Sequence, residues 1–520
     1  MTVDQGMNPR TGQAVGAPVE HTGTAEVDRL ARAAASAAPA LAALSPRRRG
    51  DLLRAVATAL TEAGSDLVAL ADAETGLGVA RLTGELTRTT TQLQMFADVL
   101  AEGSVLEPMI DLADPAAAPV RPDLRRMLVA IGPVAVFAAS NFPFAFSVAG
   151  GDTASALAAG CPVLVKAHPG HPGLSAAVAD IVVNVLARSG APDGTFGVVY
   201  GVEAGRVLVT HPAVAAAAFT GSLSGGRALF DLANGRPDPI PFYGELGSLN
   251  PTVVTPGAVA KRGADIAAGF VSSFTLGSGQ FCTKPGVLFL PVGHGLTDVL
   301  VARTLAVELG PLLGRRIQDG FTGTAEALAR TAGVRRLTPV PSTVMPSIVE
   351  SSGYVVSPVL LGVSVADLVA GASTLLEECF GPAALVVEYG SIDELGTALD
   401  VLPGSLTASL HAEVETEADL ARALLYRLSS RAGRVVWNGW PTGVAVTWAQ
   451  HHGGPWPATT ATLHTSVGVT SIRRFQRPVA WQNLPDDLLP EELRDANPLG
   501  LTRRVNGLIH SGHVPPPVGY

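Results

Sequence analysis

The chain has 520 residues, of which 47% are hydrophobic and 16% charged, and its formal net charge is −9. This length and apolar content predict two or three domains with large buried cores. The acidic balance, without a basic tract, argues against nucleic acid as a partner, and the longest apolar runs are broken by glycine and proline, so we expect no membrane span.

Residues 24–62 predict two helices. The segment "TAEVDRLARAAASAAPALAAL" is rich in alanine and leucine, with polar residues at helical spacing. In the next segment, "SPRRRGDLLRAVATALTEAG", we expect Ser45 to cap a second helix and Pro46 to occupy its first position.

Strand-like and helix-like patterns alternate between residues 126 and 247. The strand-like segments are "MLVAIGPVAVFAAS", "CPVLVKAH", "TFGVVYG", "VAAAAFTG" and "PFYGELG", and a helical pattern separates each pair. This alternation favours a parallel, doubly wound sheet, which binds ligands at the carboxyl ends of its strands.

A second α/β series begins after residue 250, and we place a domain boundary near 246–250. Its strand-like segments are "PTVVTPG", "GVLFLPV" and "GPAALVVEYG". The tail that starts at "SIRRFQRPVAWQNLP" is polar and shows few strand signals, so we expect it to wrap around a neighbour or a partner subunit.

The stretch "FTLGSGQFCTKPGVLF" places Cys282 in a glycine-rich turn after an apolar segment. It is either a small buried apolar residue or a nucleophile. The other cysteines, Cys161 and Cys379, are interpreted as core residues. Three scattered cysteines predict neither a disulfide framework nor a metal site, and with no secretory signal they indicate a cytoplasmic protein.

Two further polar residues stand in apolar turns. Glu245, in "PFYGELGSLNP", is either a general base or a structural carboxylate that forms a salt bridge or a cap. Asn141, in "AASNFPFAFS", is either a turn residue or a donor to an oxyanion.

The segment "AAFTGSLSGGRALF" runs from a strand through Gly221 and Ser222 into a helix that contains Gly226. A glycine-rich turn at a helix N-terminus can bind phosphate, although this spacing fits neither standard fingerprint and can also be purely structural. Lys166, at a strand end, is either solvated or a partner for ribose hydroxyls or a 2′-phosphate.

These motifs occur in an order that resembles the aldehyde dehydrogenase superfamily. The matching segments are "SNFPFAFSVAGGDTASALAAGCPVLVKAHP", "FTGSLSGG", "ELGSLNP", "GQFCT" and "EECFGP". The resemblance implies an α/β fold with a Rossmann-type cofactor domain, an α/β catalytic domain and a small oligomerisation element. We assign residues 1–120 and 138–247 to dinucleotide binding, 248–440 to catalysis, and 121–137 and 441–520 to bridging or oligomerisation.

The resemblance also implies roles for individual residues. Cys282 matches the family's nucleophile, Glu245 its general base and Asn141 its oxyanion donor. The implied cofactor contacts are Ser140, Lys166, Pro169, Arg206, Gly221, Ser222, Gly226, Glu378 and Phe380. Substrate contacts are expected at Phe142, Gln280, Arg434 and His451, and no metal is expected.

Pro169 bears on the choice of cofactor. NAD-preferring members of the family often place a glutamate three residues after the matching lysine, where it binds ribose hydroxyls and would repel a 2′-phosphate. Because proline stands there in this chain, we expect NADP to be used, with NAD also possible, and Arg206 is either a second phosphate partner or a solvated helix residue.

The segments "GRVVWNGWPTGV" and "HHGGPWPAT" resemble an NADP-preferring branch of the family. That resemblance implies oxidation of 2,5-dioxovalerate to 2-oxoglutarate through a cysteine thiohemiacetal and thioester, in a homodimer or homotetramer. The alternatives are a fatty or other aldehyde as substrate, a thiol hydrolase or acyltransferase, and a non-catalytic homologue. Thiol hydrolases usually pair cysteine with histidine, and His451 and His452 lie far from Cys282 in sequence.

Overall fold

A computed structural model describes residues 2–339 and 353–514 and contains four β-sheets in those ranges. At the N-terminus, strand β1 (Val3–Asn8) pairs antiparallel with β2 (Gln13–Glu20). Four helices follow: α1 (Thr24–Ala42), α2 (Pro46–Glu62), α3 (Gly64–Thr75) and α4 (Val79–Glu102). The predicted start of α2 is confirmed, since the Ser45 hydroxyl accepts a hydrogen bond from the backbone N–H of Arg48 at 3.3 Å.

The apolar run interpreted as one strand-like segment is divided between two sheets. Strands β3 (Met109–Asp111) and β4 (Leu124–Ala130) pair antiparallel, whereas β5 (Val134–Phe137) belongs to another sheet. Gly132, with φ of 123°, and Pro133 stand between β4 and β5. A left-handed glycine followed by a residue without an N–H cannot continue a ladder, so the single-strand interpretation was wrong.

Strand β5 is central to a five-stranded, fully parallel sheet of order β7-β6-β5-β8-β9. Its other strands are β6 (Val163–Lys166), β7 (Phe196–Val199), β8 (Ala216–Thr220) and β9 (Phe242–Glu245). The intervening helices are α5 (Gly151–Ala159), α6 (Pro172–Arg188), α7 (Val202–Thr210) and α8 (Leu223–Asn234). This confirms the predicted doubly wound arrangement, and β5 and β6 are buried at every position, as expected for strands covered on both faces.

The second α/β series forms a seven-stranded sheet of order β12-β13-β14-β11-β10-β15-β16, parallel except for the pair β12 and β13. Its strands are β10 (Thr252–Val254), β11 (Val287–Pro291), β12 (Arg335–Arg336), β13 (Val359–Ser364), β14 (Ala383–Tyr389), β15 (Ser405–His411) and β16 (Ala432–Trp437). Its helices are α9 (Pro256–Thr275), α10 (Thr297–Leu305), α11 (Arg315–Arg330), α12 (Val365–Ala370), α13 (Ala372–Leu375), α14 (Ile392–Asp400) and α15 (Val414–Ser429).

The polar tail contains more strand than expected. Strands β17 (Gln476–Gln482), β18 (Arg503–Val505) and β19 (Leu508–His510) join β3 and β4 in a sheet of order β17-β4-β3-β18-β19. Only one residue of β17 is buried, so an edge strand of this kind lacks the apolar alternation by which strands are recognised. Assembly through this sheet and the domain boundaries stay predictions.

Four parallel strands bring their carboxyl ends to one edge of the five-stranded sheet. The register pairs Phe137 with Lys166 and with Phe219, and Thr220 with Glu245. Within the described residues, the helices are too short or too polar to cross a membrane. The edge formed by β5, β6, β8 and β9 is therefore where the predicted site residues gather.

Candidate active site

The chain changes direction across the sheet between β5 and β8, which leaves a crevice at their carboxyl ends. Ser140 and Asn141 follow β5, and Gly221 and Ser222 follow β8. Sequence reasoning thus placed these residues at the edge where open α/β sheets bind their ligands.

The N-terminus of α8 offers backbone donors at this edge. The exposed Ser222 caps the 12-residue helix, and its hydroxyl accepts from the N–H of Gly225 at 3.2 Å. A Cβ at Gly226 would collide with the Leu246 side chain, so this glycine allows α8 to pack against the segment that follows β9. A capped, accessible helix N-terminus of this kind fits the pyrophosphate of a dinucleotide.

Lys166, at the end of β6, has a buried stem that packs against Gly205 of α7, where a Cβ would lie 3.0 Å from its Cγ. Burial lowers the pKa of Lys166 below its usual value, and among the described residues its ammonium donates no hydrogen bond. It can therefore donate to a nucleotide ribose. Pro169 is exposed nearby in sequence, and the exposed Arg206 lies 4.0 Å from Glu203.

A strained turn carries the chain from α9 to Cys282. Gly277, Ser278 and Gly279 have φ values of 56°, 56° and 68°, in the left-handed region that non-glycine residues rarely adopt. A Cβ at Gly279 would collide with the carbonyl oxygen of Gly381, so this glycine permits two backbone segments to approach closely. The turn leaves Cys282 half-buried and accessible, whereas Cys161 and Cys379 are buried as predicted.

Cys282, Glu245 and His452 meet at one point. His452 Nε2 lies 3.4 Å from Cys282 Sγ and 3.0 Å from Glu245 Oε1. His452 was not among the predicted catalytic residues, and its distance in sequence from Cys282 was misleading, because the fold places it in contact. One ligand atom from each of the three residues lies within 4.8 Å of the others, and the expectation that no metal binds here stays a prediction.

The segment that carries His452 folds over the end of β9. Leu246 N–H donates to the Ala458 carbonyl at 2.8 Å, and Glu245 forms an isolated antiparallel bridge with Thr459. The same segment supplies Ser466, whose hydroxyl donates to Glu245 Oε2. Each oxygen of this buried carboxylate is therefore held by a separate side chain, one from His452 and one from Ser466.

The hydrogen bonds indicate which group accepts the thiol proton. His452 Nδ1 is buried and has no partner among the described residues, so the tautomer that leaves no buried N–H unpaired carries its hydrogen on Nε2, directed at Glu245. That nitrogen then cannot also accept from Cys282, so the Glu245 carboxylate, which has an oxygen within 4.8 Å of Sγ, is the nearby group that can take the thiol proton.

The pKa shifts follow from this arrangement. Burial, followed by the negative charge of Glu245, raises the pKa of the Cys282 thiol well above its usual value. For Glu245, burial alone would raise the pKa, but the hydrogen bonds from His452 and Ser466 lower it overall. The geometry therefore describes a protonated thiol beside a charged carboxylate.

Asn141 is tied to the turn that precedes Cys282. Its side-chain amide is buried and donates to the carbonyl of Gln280 at 3.0 Å. Gln280 is itself fully buried, and its side chain accepts from the N–H of Leu313 at 2.9 Å and donates to the Gly277 carbonyl. Gln280 was predicted to contact substrate, but it braces the turn instead, because its polar atoms are used within the protein.

A cavity of about 280 Å³ opens beside Cys282. Phe142 lines it together with Phe146, Phe281, Thr283 and Val444, and its contact with substrate stays a prediction. Arg434 and His451 are not in the lining: Arg434 donates to the carbonyls of Pro441 and Gly443, and the half-buried His451 packs against Gly433 and Gly453. For these two residues a direct substrate contact is not supported.

Helix α4 supplies the polar part of the cavity wall, which sequence reasoning missed. Arg81, Glu85 and Arg88 line it and stand at positions i, i+4 and i+7 of the helix. This spacing puts all three on one helix face. The sequence did carry a signal for this wall: charged residues share one face of a helix whose flanking positions are leucines that become buried.

Residues 378–383 pack against the turn that precedes Cys282. Lys284 Nζ is buried and donates to the carbonyls of Cys379 at 2.7 Å and Ala383 at 2.9 Å. Glu378 packs against Gly247, where a Cβ would collide with its carboxylate, and burial raises the pKa of Glu378 to about 7. Glu378 and the half-buried Phe380 thus lie beside the segment that follows Glu245.

Comparisons with known proteins agree with this geometry. The sequence model of the aldehyde dehydrogenase family matches residues 4–455. Alpha-ketoglutaric semialdehyde dehydrogenase 2 of Azospirillum brasilense is 44% identical over 96% of this chain and 95% of its own length. The alpha-ketoglutaric semialdehyde dehydrogenase of Acinetobacter baylyi is 42% identical over 93% of this chain and 91% of its own.

The fold is also shared with a solved structure. A mutant of aldehyde dehydrogenase C from Pseudomonas syringae, in complex with NAD+ and octanal, superposes with a TM-score of 0.76 at 21% identity, over 92% of this chain and 93% of that one. The family match extends over most of the chain, and both curated relatives cover nearly all of it. The chain therefore belongs to the aldehyde dehydrogenase family.

Proposed function

We propose that this protein oxidises 2,5-dioxovalerate to 2-oxoglutarate with NADP, or NAD, as the hydride acceptor. Family membership supports the general reaction, the oxidation of an aldehyde to a carboxylic acid. The observation that carries the proposal is the cluster in which His452 contacts both Cys282 and Glu245, next to a cavity whose wall holds two arginines. The names of the two relatives at 44% and 42% identity support the substrate.

The first step is formation of the nucleophile. Thiolate, not thiol, attacks a carbonyl, and the raised pKa of Cys282 keeps the sulfur protonated at rest. On our proposal, Glu245 takes the proton as Sγ bonds to the aldehyde carbon. His452 and Ser466 hold the carboxylate in place, so both act as positioning residues.

Attack converts the carbonyl oxygen into an oxyanion that needs donors. The Asn141 amide is tied to the turn before Cys282, and among the described residues the backbone N–H of Cys282 has no hydrogen-bond acceptor. We assign both groups to the oxyanion. One such donor contributes about 3 kcal/mol to transition-state stabilisation.

When bound, NADP or NAD would supply the acceptor for the hydride of the tetrahedral carbon. The residues that fit it are Ser222 and the N-terminus of α8 for the pyrophosphate, Lys166 for the adenosine ribose, and Glu378 with Phe380 for the second ribose. Pro169 leaves no carboxylate at its position to repel a 2′-phosphate. The preference for NADP is the part of this proposal that rests on Lys166 and Pro169.

Loss of hydride leaves a thioester on Cys282, which water must hydrolyse. Before this step, Glu245 releases the proton that it took from the thiol to solvent. The carboxylate then takes a proton from water as the oxygen adds to the thioester carbon, and the tetrahedral intermediate collapses to the carboxylic acid with Sγ as the leaving group. The sulfur recovers its proton from Glu245, which completes the cycle. The low pKa of Glu245 keeps it ionised and ready to accept that proton at neutral pH.

The position of His452 beside Cys282 gives the cysteine–histidine pair that a thiol hydrolase would need, so this alternative must be weighed. Such enzymes use the imidazole as the base for cysteine. Here the imidazole Nε2 is directed at Glu245, and the dinucleotide-type sheet edge lies beside the thiol. These two observations favour aldehyde oxidation.

A panel of aldehydes tests the substrate. With 2,5-dioxovalerate and NADP, we expect reduced nicotinamide to form with kcat/KM at least about tenfold above that for pentanal, which equals about 1.4 kcal/mol of transition-state binding. The Cys282→Ala variant should bind nucleotide without turnover. A preference for pentanal would assign the protein to apolar aldehydes.

Alkylation by iodoacetamide tests the protonation state of Cys282 in the absence of cofactor. Because the pKa of the thiol is raised, the thiolate fraction is small at neutral pH and grows about tenfold per pH unit as pH rises. We expect the inactivation rate to climb without a plateau from about pH 7 to about pH 9. A plateau near neutral pH would mean that the resting sulfur is already ionised.

Substitution of His452 tests its action through Glu245. His452→Ala should lower kcat about 100-fold with little change in KM, because a loosened base slows thioester hydrolysis. His452→Gln, whose amide can still donate to the carboxylate, should recover part of the loss. A burst of reduced nucleotide in the alanine variant would locate the defect after hydride transfer, and wild-type kcat in that variant would contradict the assignment.

Substitution of Lys166 tests the nucleotide preference. Lys166→Ala should raise KM for NADP by about tenfold more than KM for NAD, since one charged hydrogen bond to phosphate is lost. Lys166→Arg, which keeps the charge, serves as the control. Equal effects on the two nucleotides would limit Lys166 to the ribose.

A further inference from the structure

We propose that Arg81 and Arg88 of α4 form an anion-binding subsite that holds a carboxylate of the substrate, at the end remote from the aldehyde. The inference rests on the proposed function in one respect, because the aldehyde is taken to react at Cys282. It adds the residues that would bind the carboxylate end of such a substrate. The residues that carry it are these two arginines, Glu85 and the aromatic rings around them.

The two guanidinium groups are charged donors without an ionic partner among the described residues. Arg81 makes one hydrogen bond, from Nη2 to the backbone carbonyl of Asn141 at 2.7 Å, and its buried Nη1 has no partner. The buried Nε of Arg88 is also unpaired. Arg54, an arginine at the surface, differs in that it pairs with Asp98 at 2.7 Å. Buried donors left unpaired cost free energy, so their presence in a cavity wall points to a ligand that pairs them.

Glu85, which lies between the two arginines on the same helix face, does not neutralise them by a direct contact. Its Oε1 accepts from the N–H groups of Phe144 at 2.8 Å and Ala145 at 3.0 Å, which fixes the turn after Asn141. Burial raises the pKa of the Glu85 carboxyl. Two cations and at most one anion on this face leave a positive excess.

Aromatic rings hold the guanidinium planes. The Arg81 guanidinium carbon lies 4.9 Å from the centroid of Phe281, and that of Arg88 lies 5.4 Å from the centroid of Phe146. Phe142 contacts both arginines, at 5.3 Å and 5.9 Å. Stacking on a ring face leaves the N–H edges of guanidinium open, so the donors are oriented before a ligand arrives.

Gly277 lies in the turn that precedes Cys282 and packs against Arg81. A Cβ there would lie 2.7 Å from Arg81 Nη1, so the strained glycine makes room for the guanidinium beside the turn that presents Cys282. The anion subsite and the sulfur therefore share one cavity, and the cavity of about 280 Å³ suits a short substrate.

Carboxylate is the ligand that this arrangement fits. Arginine pairs with carboxylate through charge-assisted, often bidentate hydrogen bonds. An alkanal of the same length would place a methyl group against buried donors and leave them unpaired. The subsite therefore favours an aldehyde that carries a carboxylate over an alkanal. The difference in binding free energy is that between a paired and an unpaired buried guanidinium.

The kinetic test uses Arg88→Gln, because Arg81 also holds the backbone of Asn141 and its substitution would disturb a second group. We expect the ratio of kcat/KM for 2,5-dioxovalerate to kcat/KM for pentanal to fall about 30-fold, mainly through KM for the acid. Arg422→Gln, at an exposed arginine of α15, is the matched control and should leave the ratio unchanged. An unchanged ratio in Arg88→Gln would overturn the proposal.

A binding test is independent of turnover. In the Cys282→Ala background, calorimetry should detect binding of glutarate, a dicarboxylate without an aldehyde, and Arg88→Gln in that background should weaken it by at least about 30-fold. Equal glutarate affinity in the two proteins would exclude the subsite. If the wild-type protein oxidises no aldehyde but binds glutarate through Arg88, the proposed function fails while the subsite stands. If it oxidises 2,5-dioxovalerate but binds no glutarate, the proposed function stands while the subsite fails.

Discussion

The site depends on one buried carboxylate. Glu245 ends β9 almost without exposure to solvent, and an ion in that position needs partners to compensate for lost hydration. It has them on each oxygen, since His452 contacts Oε1 and Ser466 donates to Oε2. These contacts keep Glu245 ionised, and burial together with the charge of Glu245 raises the pKa of the Cys282 thiol. Cys282, His452, Glu245 and Ser466 therefore form one connected cluster.

Three distant segments must meet to build that cluster. The five-stranded sheet supplies Glu245, the strained turn after α9 supplies Cys282, and the segment folded over the end of β9 supplies His452 and Ser466. The segment folded over the end of β9 carries both residues that bind the Glu245 carboxylate. The Leu246 N–H donates to the Ala458 carbonyl, and this bond holds the segment so that His452 and Ser466 contact the carboxylate. Close backbone approach at Gly279 fixes the turn against residues 378–383. Chemistry at Cys282 is therefore coupled to packing between both α/β sheets.

The parts of this molecule that sequence predicted are those with local signals. Period and composition located the five strands of the parallel sheet and β10, β11 and β14 of the seven-stranded sheet, and short motifs singled out Cys282, Glu245 and the cap at Ser222. The split between β4 and β5 escaped because both halves are apolar, and β17 escaped because an exposed edge strand has no apolar alternation. His452 and Ser466 lie 207 and 221 residues from Glu245, so no local pattern joins them. Arg81 and Arg88 carried a usable signal, the helical spacing of charges, but which face meets a cavity is decided by tertiary packing.

The charges around Cys282 also bear on how a substrate can lie in the cavity. Glu245 presents a negative charge at the sulfur, and the face of α4 presents a positive excess across the cavity. A molecule with an aldehyde at one end and a carboxylate at the other is attracted in one orientation only, since the reverse places two anions together at the sulfur. At a separation of 4 Å, like charges repel by about 4 kcal/mol at an effective dielectric constant near 20. On the proposed function, this polarity directs the aldehyde to Cys282 before any covalent step and keeps the product carboxylate, newly formed beside Glu245, in a position from which repulsion favours its release.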